Sequence, residues 1–127
     1  MRRKQKTLDI VKQLAKQLLI HRVFHGRSQS EVANVIDVSF QQYQKYEKCE
    51  NRIFAEQLIA ICKHYGWDID LISNGDPNAT VEEWFDSKVP NARAGVFVNK
   101  NKLLSKIKKI DDNAYNNFFR IKNESTY

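Results

Sequence analysis

The sequence predicts an all-α protein: a compact N-terminal helical domain, an acidic connecting stretch and an amphipathic helical tail. Three observations carry that expectation. Apolar residues recur at three- and four-residue spacing in successive segments, and capping residues and glycines bracket those segments. Both prolines, Pro77 and Pro90, fall in one polar stretch between Asp76 and Phe97. A chain of 127 residues has room for one compact domain of roughly 70 residues plus an appendage.

The boundaries follow residue by residue. Residues 1–6 open the chain as a basic arm. Over residues 7–25, Leu8, Val11, Leu14, Ala15, Leu18, Leu19 and Val23 recur at helical spacing; Thr7 is placed to cap this helix and Gly26 to stop it. Ser28 and Glu31 are spaced as a capping box, so a second helix begins at Gln29, with Val32, Ala33 and Ile36 on one face. Ser39 caps a third helix from Phe40 to about Lys48. A fourth covers about Ala55 to Tyr65 and ends at Gly66; a short fifth runs from Asp68 to Ile72. These elements make residues 7–75 one domain. Residues 76–98 are an acidic linker holding a short helix with Trp84 and Phe85, capped from Thr80. Residues 99–127 form the tail: Leu103, Leu104, Ile107 and Ile110 share a face, Asp111-Asp112-Asn113 marks a break, and Ala114, Phe118 and Ile121 continue on a last helix.

Charge is segregated along the chain. Residues 1–52 hold 11 Lys/Arg against 5 Asp/Glu, residues 53–97 hold 3 against 7, and residues 98–127 hold 7 against 3, giving +6, −4 and +4. A basic first half beside an acidic middle suggests one face aimed at a polyanion, the alternative being solvated lysines without a partner. No apolar stretch approaches the roughly 20 residues of a membrane span. Asp9, Lys12 and Lys16 interrupt any apolar run behind the basic opening, so a cytoplasmic protein without a membrane partner is expected. Cys49 and Cys62 lack metal-type spacing and are expected as reduced thiols. His21 and His25 lie four apart on one helix, yet no acid or cysteine joins them in sequence. A surface or capping role is expected, with no metal and no cofactor. No glycine-rich phosphate loop, Ser/His/Asp set or paired-carboxylate pattern is visible, which argues against an enzyme.

Two short helices joined by a tight turn, the second opening with polar residues, have the geometry that enters a major groove. Arg22, Gly26, Ser28-Gln29, Glu31, Ala33, Val38-Ser39 and Tyr46-Glu47 at their spacing resemble the Cro/repressor class of helix-turn-helix proteins, the xenobiotic-response-element family. The resemblance extends through Leu58, Ile61, Cys62, Tyr65, Gly66 and Trp67 and covers about residues 10–75. It implies a five-helix, lambda-repressor-like domain that binds double-stranded DNA and regulates transcription in the cytoplasm, at the nucleoid.

It also implies roles. Gln29 would clamp a phosphate with its side chain and the N-terminus of the second helix. Phe40, Gln41, Gln44 and Lys45 would read base edges, with Tyr43 and Tyr46 on the opposite, core face. Ser39, Lys48, Asn51 and Arg52 would hold phosphates, the last three being otherwise an ordinary polar loop. Arg22 and Glu47 would form a structural ion pair. Three positions depart from the family pattern. Cys49 stands where a Gly usually follows the Glu-x pair, Asp37 replaces the Gly of the central turn, and Phe54 occupies a position where a small polar cap is common.

The tail needs a partner surface, either its counterpart in a second subunit or the parent domain. Self-association through Leu103, Leu104, Ile107, Ile110, Phe118 and Ile121 is the expectation, since a homodimer matches an inverted-repeat operator. The lysines at 100, 102, 106, 108 and 109 read as a solvated face, with extra phosphate contacts as the alternative. Repression is the function expected from the family. Two rivals are a DNA-binding antitoxin, whose tail or acidic middle binds a toxin, and an adaptor that has lost DNA binding.

Overall fold

In the computed structural model, which describes residues 3–87 and 99–120, every regular element is helical. In chain order these are α1 (Arg3–Phe24), α2 (Gln29–Val35), α3 (Phe40–Glu47), α4 (Ala55–Tyr65), α5 (Ile69–Asn74), α6 (Pro77–Asp86) and α7 (Lys100–Tyr115). A π-helical turn, Asn116–Arg120, follows α7 directly.

Local chemistry explains most boundaries. The Ser28 side chain accepts from the Glu31 amide while Glu31 accepts from the Ser28 amide, so α2 starts on a complete capping box. Ser39 accepts from the Gln42 amide at the start of α3, and Asp68 from the Asp70 and Leu71 amides at the start of α5. Phe54 has no side-chain acceptor to offer α4; Gln57 compensates by taking the Phe54 amide at 2.9 Å. Gly66 ends α4 at φ 71°, a left-handed conformation that costs glycine little.

The two replaced glycines keep the backbone that glycine would adopt. Asp37 has φ 54° and Cys49 has φ 62°. A left-handed non-glycine residue costs roughly 1–2 kcal/mol. At Cys49 the turn still closes the end of α3, since the Glu50 amide reaches back to the Lys45 carbonyl at 2.9 Å. The Cys49 side chain is fully buried, so packing offsets the strain.

α1 is the centre of the molecule, and hydrophobic cores form on two sides of it. On one side Leu18 joins Val32, Ala33, Tyr43, Tyr46, Leu58, Ile61, Cys62, Trp67 and Ile72, which holds α2–α5 together. On the other, Leu8, Ala15, Leu19, Ile20 and Phe24 meet Val81 of α6, Leu103, Ile107, Ile110 and Ala114 of α7, and Cys49. The consecutive apolar residues Leu18, Leu19 and Ile20 make this possible, because three adjacent side chains cannot share one narrow helix face. Polar contacts tie the same surfaces. The Gln17 side-chain amide donates to the Thr80 hydroxyl at 3.0 Å, and Gln13 donates to the Ile72 carbonyl at 3.2 Å.

Four expectations need correction. Residues 3–6 are the first turn of α1 rather than an arm, and Thr7 lies inside the helix; Arg, Lys and Gln are good helix formers and nothing breaks the pattern. The short helix expected in the linker forms, but Asp76 rather than Thr80 caps it, Pro77 opens it, and Val81 is buried in the core instead of leaving the stretch a free connector. Trp84 and Phe85 each stand edge-on to Phe24 at 4.9 Å, burying aromatic area that a free linker would expose. Pro90 and Phe97 lie outside the described residues. No break occurs at Asp111-Asp112-Asn113, because each end of that triplet is engaged within a continuous helix. Asp111 pairs with Lys16 at 2.8 Å and Lys12 at 3.7 Å, and Asn113 donates to the Lys48 carbonyl at 3.0 Å.

The fourth correction concerns the tail's apolar face. Leu103, Ile107 and Ile110 are 4%, 2% and 2% exposed against α1 of the same chain, with Leu104 and Phe118 half-buried beside them. The partner surface is therefore the parent domain. Ile121 lies outside the described residues.

Candidate nucleic-acid interface

The α2–α3 unit is built so that one face of α3 must point outward. Tyr43, Tyr46 and Glu47 are buried, which leaves Phe40, Gln41, Lys45 and Lys48 on the exposed side of the helix. Phe40 is 41% exposed, a large ring presented to solvent at the first turn. Gln44 is half-buried and lies between this exposed face and α2.

Behind that face a chain of polar contacts fixes α3 against α1 and α2. Arg22 grips Glu47 with two nitrogens: Nε donates to Oε2, and a terminal nitrogen donates to Oε1 at 3.1 Å. The other terminal nitrogen donates to the Arg27 carbonyl at 2.9 Å, tying down the turn before α2. Gln29 donates to the same Glu47 Oε1 at 3.0 Å, and its own carbonyl oxygen accepts from Gln44 at 3.2 Å. Burial works against the Arg22 charge, but Glu47 more than offsets it and holds the guanidinium pKa above its usual value. Burial, then the Glu47 carboxylate, pushes the Tyr43 phenol well above its ordinary range. The network therefore sits with its charges matched, and it prevents α3 from rotating on its neighbours.

Gln29 is thus a junction between Glu47 and Gln44 as well as a half-buried side chain at the first turn of α2. Ser39 is exposed and committed as the α3 cap, with its hydroxyl proton still available. Lys48, Asn51 and Arg52 are exposed, and the Arg52 guanidinium lies over the Phe118 ring at 5.2 Å. Asn113 was not a candidate, and no local signal pointed to it; only the packing of α7 brings it to the Lys48 carbonyl.

Cys49 and Cys62 are free and buried, and burial pushes both thiols up to about 11. His21 corrects the expectation of a surface residue: it is 2% exposed, packed against Trp67 and Trp84, and its Nδ1 donates to the Gln17 carbonyl at 2.8 Å. His25 is half-buried and stacks on it, with its own Nδ1 donating to the His21 carbonyl. Among the described residues no cluster of His, Cys, Asp or Glu is arranged to hold a metal ion, and no helix is long and apolar enough to cross a membrane.

Two short helices joined through Ile36–Ser39, the second braced from behind and polar in front, form a helix-turn-helix arrangement. The chain is similar to two proteins named as uncharacterized HTH-type transcriptional regulators. It is 39% identical to the one from Rickettsia conorii over 62 residues, which cover 49% of this chain and 50% of that protein. It is 43% identical to the one from Rickettsia prowazekii over 54 residues, 42% of each. The chain thus spans at most about half the length of these curated relatives. No protein-family model matches it, and no solved structure does.

Proposed function

We propose that this chain is a sequence-specific, double-stranded-DNA-binding regulator of transcription of the Cro/repressor type, acting as a repressor. On this reading α1–α5 form its five-helix, lambda-repressor-like domain, and α6 and α7 brace that domain from the other side of α1. One observation carries the reading: α3 is locked from behind by the Arg22–Glu47–Gln29–Gln44 chain while Phe40, Gln41 and Lys45 face outward. The names of the Rickettsia relatives support the regulatory part of it.

The chemistry assigns roles on that surface. Gln41 is suited to a bidentate contact with adenine, Lys45 to donation toward guanine, and Phe40 to a thymine methyl. Gln44 shares its amide with Gln29, so the reader and the phosphate clamp are coupled. On this reading the exposed Ser39, Lys48, Asn51 and Arg52 hold backbone phosphates. Homodimerisation is not proposed through Leu103, Ile107 and Ile110, which are occupied within the chain.

Selection of bound sequences from random duplexes supplies the operator, and three variants then test the roles on operator and scrambled DNA. Gln41→Ala and Lys45→Ala should each lose about 1–3 kcal/mol on the operator and little on scrambled duplex. Arg52→Ala should weaken both alike and lower the salt slope by about one unit. Equal losses on both duplexes for Gln41→Ala and Lys45→Ala would remove base reading from α3 and leave nonspecific binding.

A further inference from the structure

The packing of α7 has a second consequence on the opposite flank from its ion pairs. With Leu103, Ile107, Ile110 and Ala114 turned into the core, the helix has one rotational setting. Asp111 meets Lys12 and Lys16 on one side, and Asn113 meets the Lys48 carbonyl on the other. Lys102, Lys106 and Lys109 lie four and three residues apart, which aligns them with Asn113 on that second side.

Lys106, Lys109 and Asn113 form one wall of an open cleft of about 350 Å³. Arg22, Gln29, Glu47 and Lys48 belong to the same lining, with Glu50 as its second carboxylate. Four cations face two carboxylates there, a net of +2, and Arg22 already neutralises Glu47. Lys106 and Lys109 are exposed, and no carboxylate pairs with either among the described residues. Lys100, by contrast, takes Glu82 at 2.7 Å. Lys106 and Lys109 of α7 therefore share one cleft with Gln29 and Lys48 of the helix-turn-helix unit.

We propose that Lys106 and Lys109 of α7 are a second anchoring site for the phosphodiester backbone of duplex DNA, with Lys102 extending it. The occupant is a nucleic-acid backbone because the site is cationic, open and shares Gln29 and Lys48 with the helix-turn-helix unit, while Leu19 and Ile110, which also line it, are buried in the core and leave the ammonium groups as its exposed part. This inference rests on the proposed DNA binding. It gives the C-terminal helix a part in affinity but none in sequence choice.

The test uses the full chain, with Lys106→Ala/Lys109→Ala as the variant and Lys108→Ala, on the other side of α7, as the control. Binding to operator and scrambled duplex is measured at several salt concentrations, after thermal melts show that both variants keep the wild-type midpoint. Losing two phosphate contacts should flatten the plot of log K against log salt by about two units while the operator-to-scrambled ratio stays unchanged. Lys108→Ala should leave the slope as it is. A wild-type slope in the double variant overturns the assignment of α7 while leaving helix-turn-helix binding intact. A changed operator-to-scrambled ratio overturns it too, since the residues would then be reading sequence. Failure of the wild-type chain to bind any duplex overturns the proposed function itself.

Discussion

Replacing Ile107 with Ala tests whether α7 is held within the chain or awaits a second copy. Ile107 is 2% exposed and sits between Leu103 and Ile110 against Ala15, Leu19 and Ile20 of α1, in the same apolar cluster as Cys49. The change removes three carbons, worth about 0.8 kcal/mol each in transfer from water. A residual cavity adds to that sum, because α1 carries a second core on its other side and cannot shift inward freely. The expected loss is about 3 kcal/mol, within the usual 2–5 kcal/mol for such truncations. For a chain of this size each kcal/mol moves the melting midpoint by roughly 4 °C, so a fall on the order of 12 °C is expected. Circular-dichroism melts over a hundredfold range of protein concentration provide the assay. An intramolecular core gives midpoints independent of concentration in both wild type and variant. A midpoint unchanged by the substitution, or one that climbs with concentration, would refute the docking of α7 on its own α1.

The remaining two predictions concern buried polar groups. Glu47→Ala strands the Arg22 guanidinium and removes an acceptor from Gln29, so stability should fall by about 3–5 kcal/mol; a denaturant midpoint matching wild type would show that the pair contributes nothing. His21 is held down to about 4 by burial, which outweighs the raising effect of the Gln17 carbonyl and is reinforced by the neighbouring His25 charge, with Asp68 opposing. Between pH 6.5 and 4 the unfolded chain binds a proton that the folded one refuses. Stability should therefore be full above pH 6.5 and decline as pH falls, by about 1.4 kcal/mol per unit from this residue. Denaturant titrations at pH 7 and pH 5 should show that decline in wild type and a shallower one in His21→Gln; equal slopes would place the pH dependence elsewhere.

Local chemistry was legible in the residues themselves. Capping boxes, N-cap serines and Gly66 depend on groups within four positions of one another, so α2, α3 and α4 could be located without knowing their surroundings. At Asp37 and Cys49 the family resemblance pointed to replaced glycines and left open whether the turn at Cys49 would be strained or rebuilt; the backbone kept the left-handed form at both. The family resemblance also set Tyr43 and Tyr46, which are buried, on the face opposite Gln41 and Lys45, which are exposed.

What the sequence could not decide was where each apolar face would be spent. The stripe from Leu103 to Ile110 is equally suited to a second copy or to the parent domain, because hydrophobic burial has no direction and names no partner. The three-dimensional arrangement chose α1, whose Leu18, Leu19 and Ile20 need cover on two sides. That choice also drew α6 into the core and carried Asn113 to Lys48. It left Lys106 and Lys109 beside Gln29, since fixing the buried face of a helix fixes the direction of every other face as well.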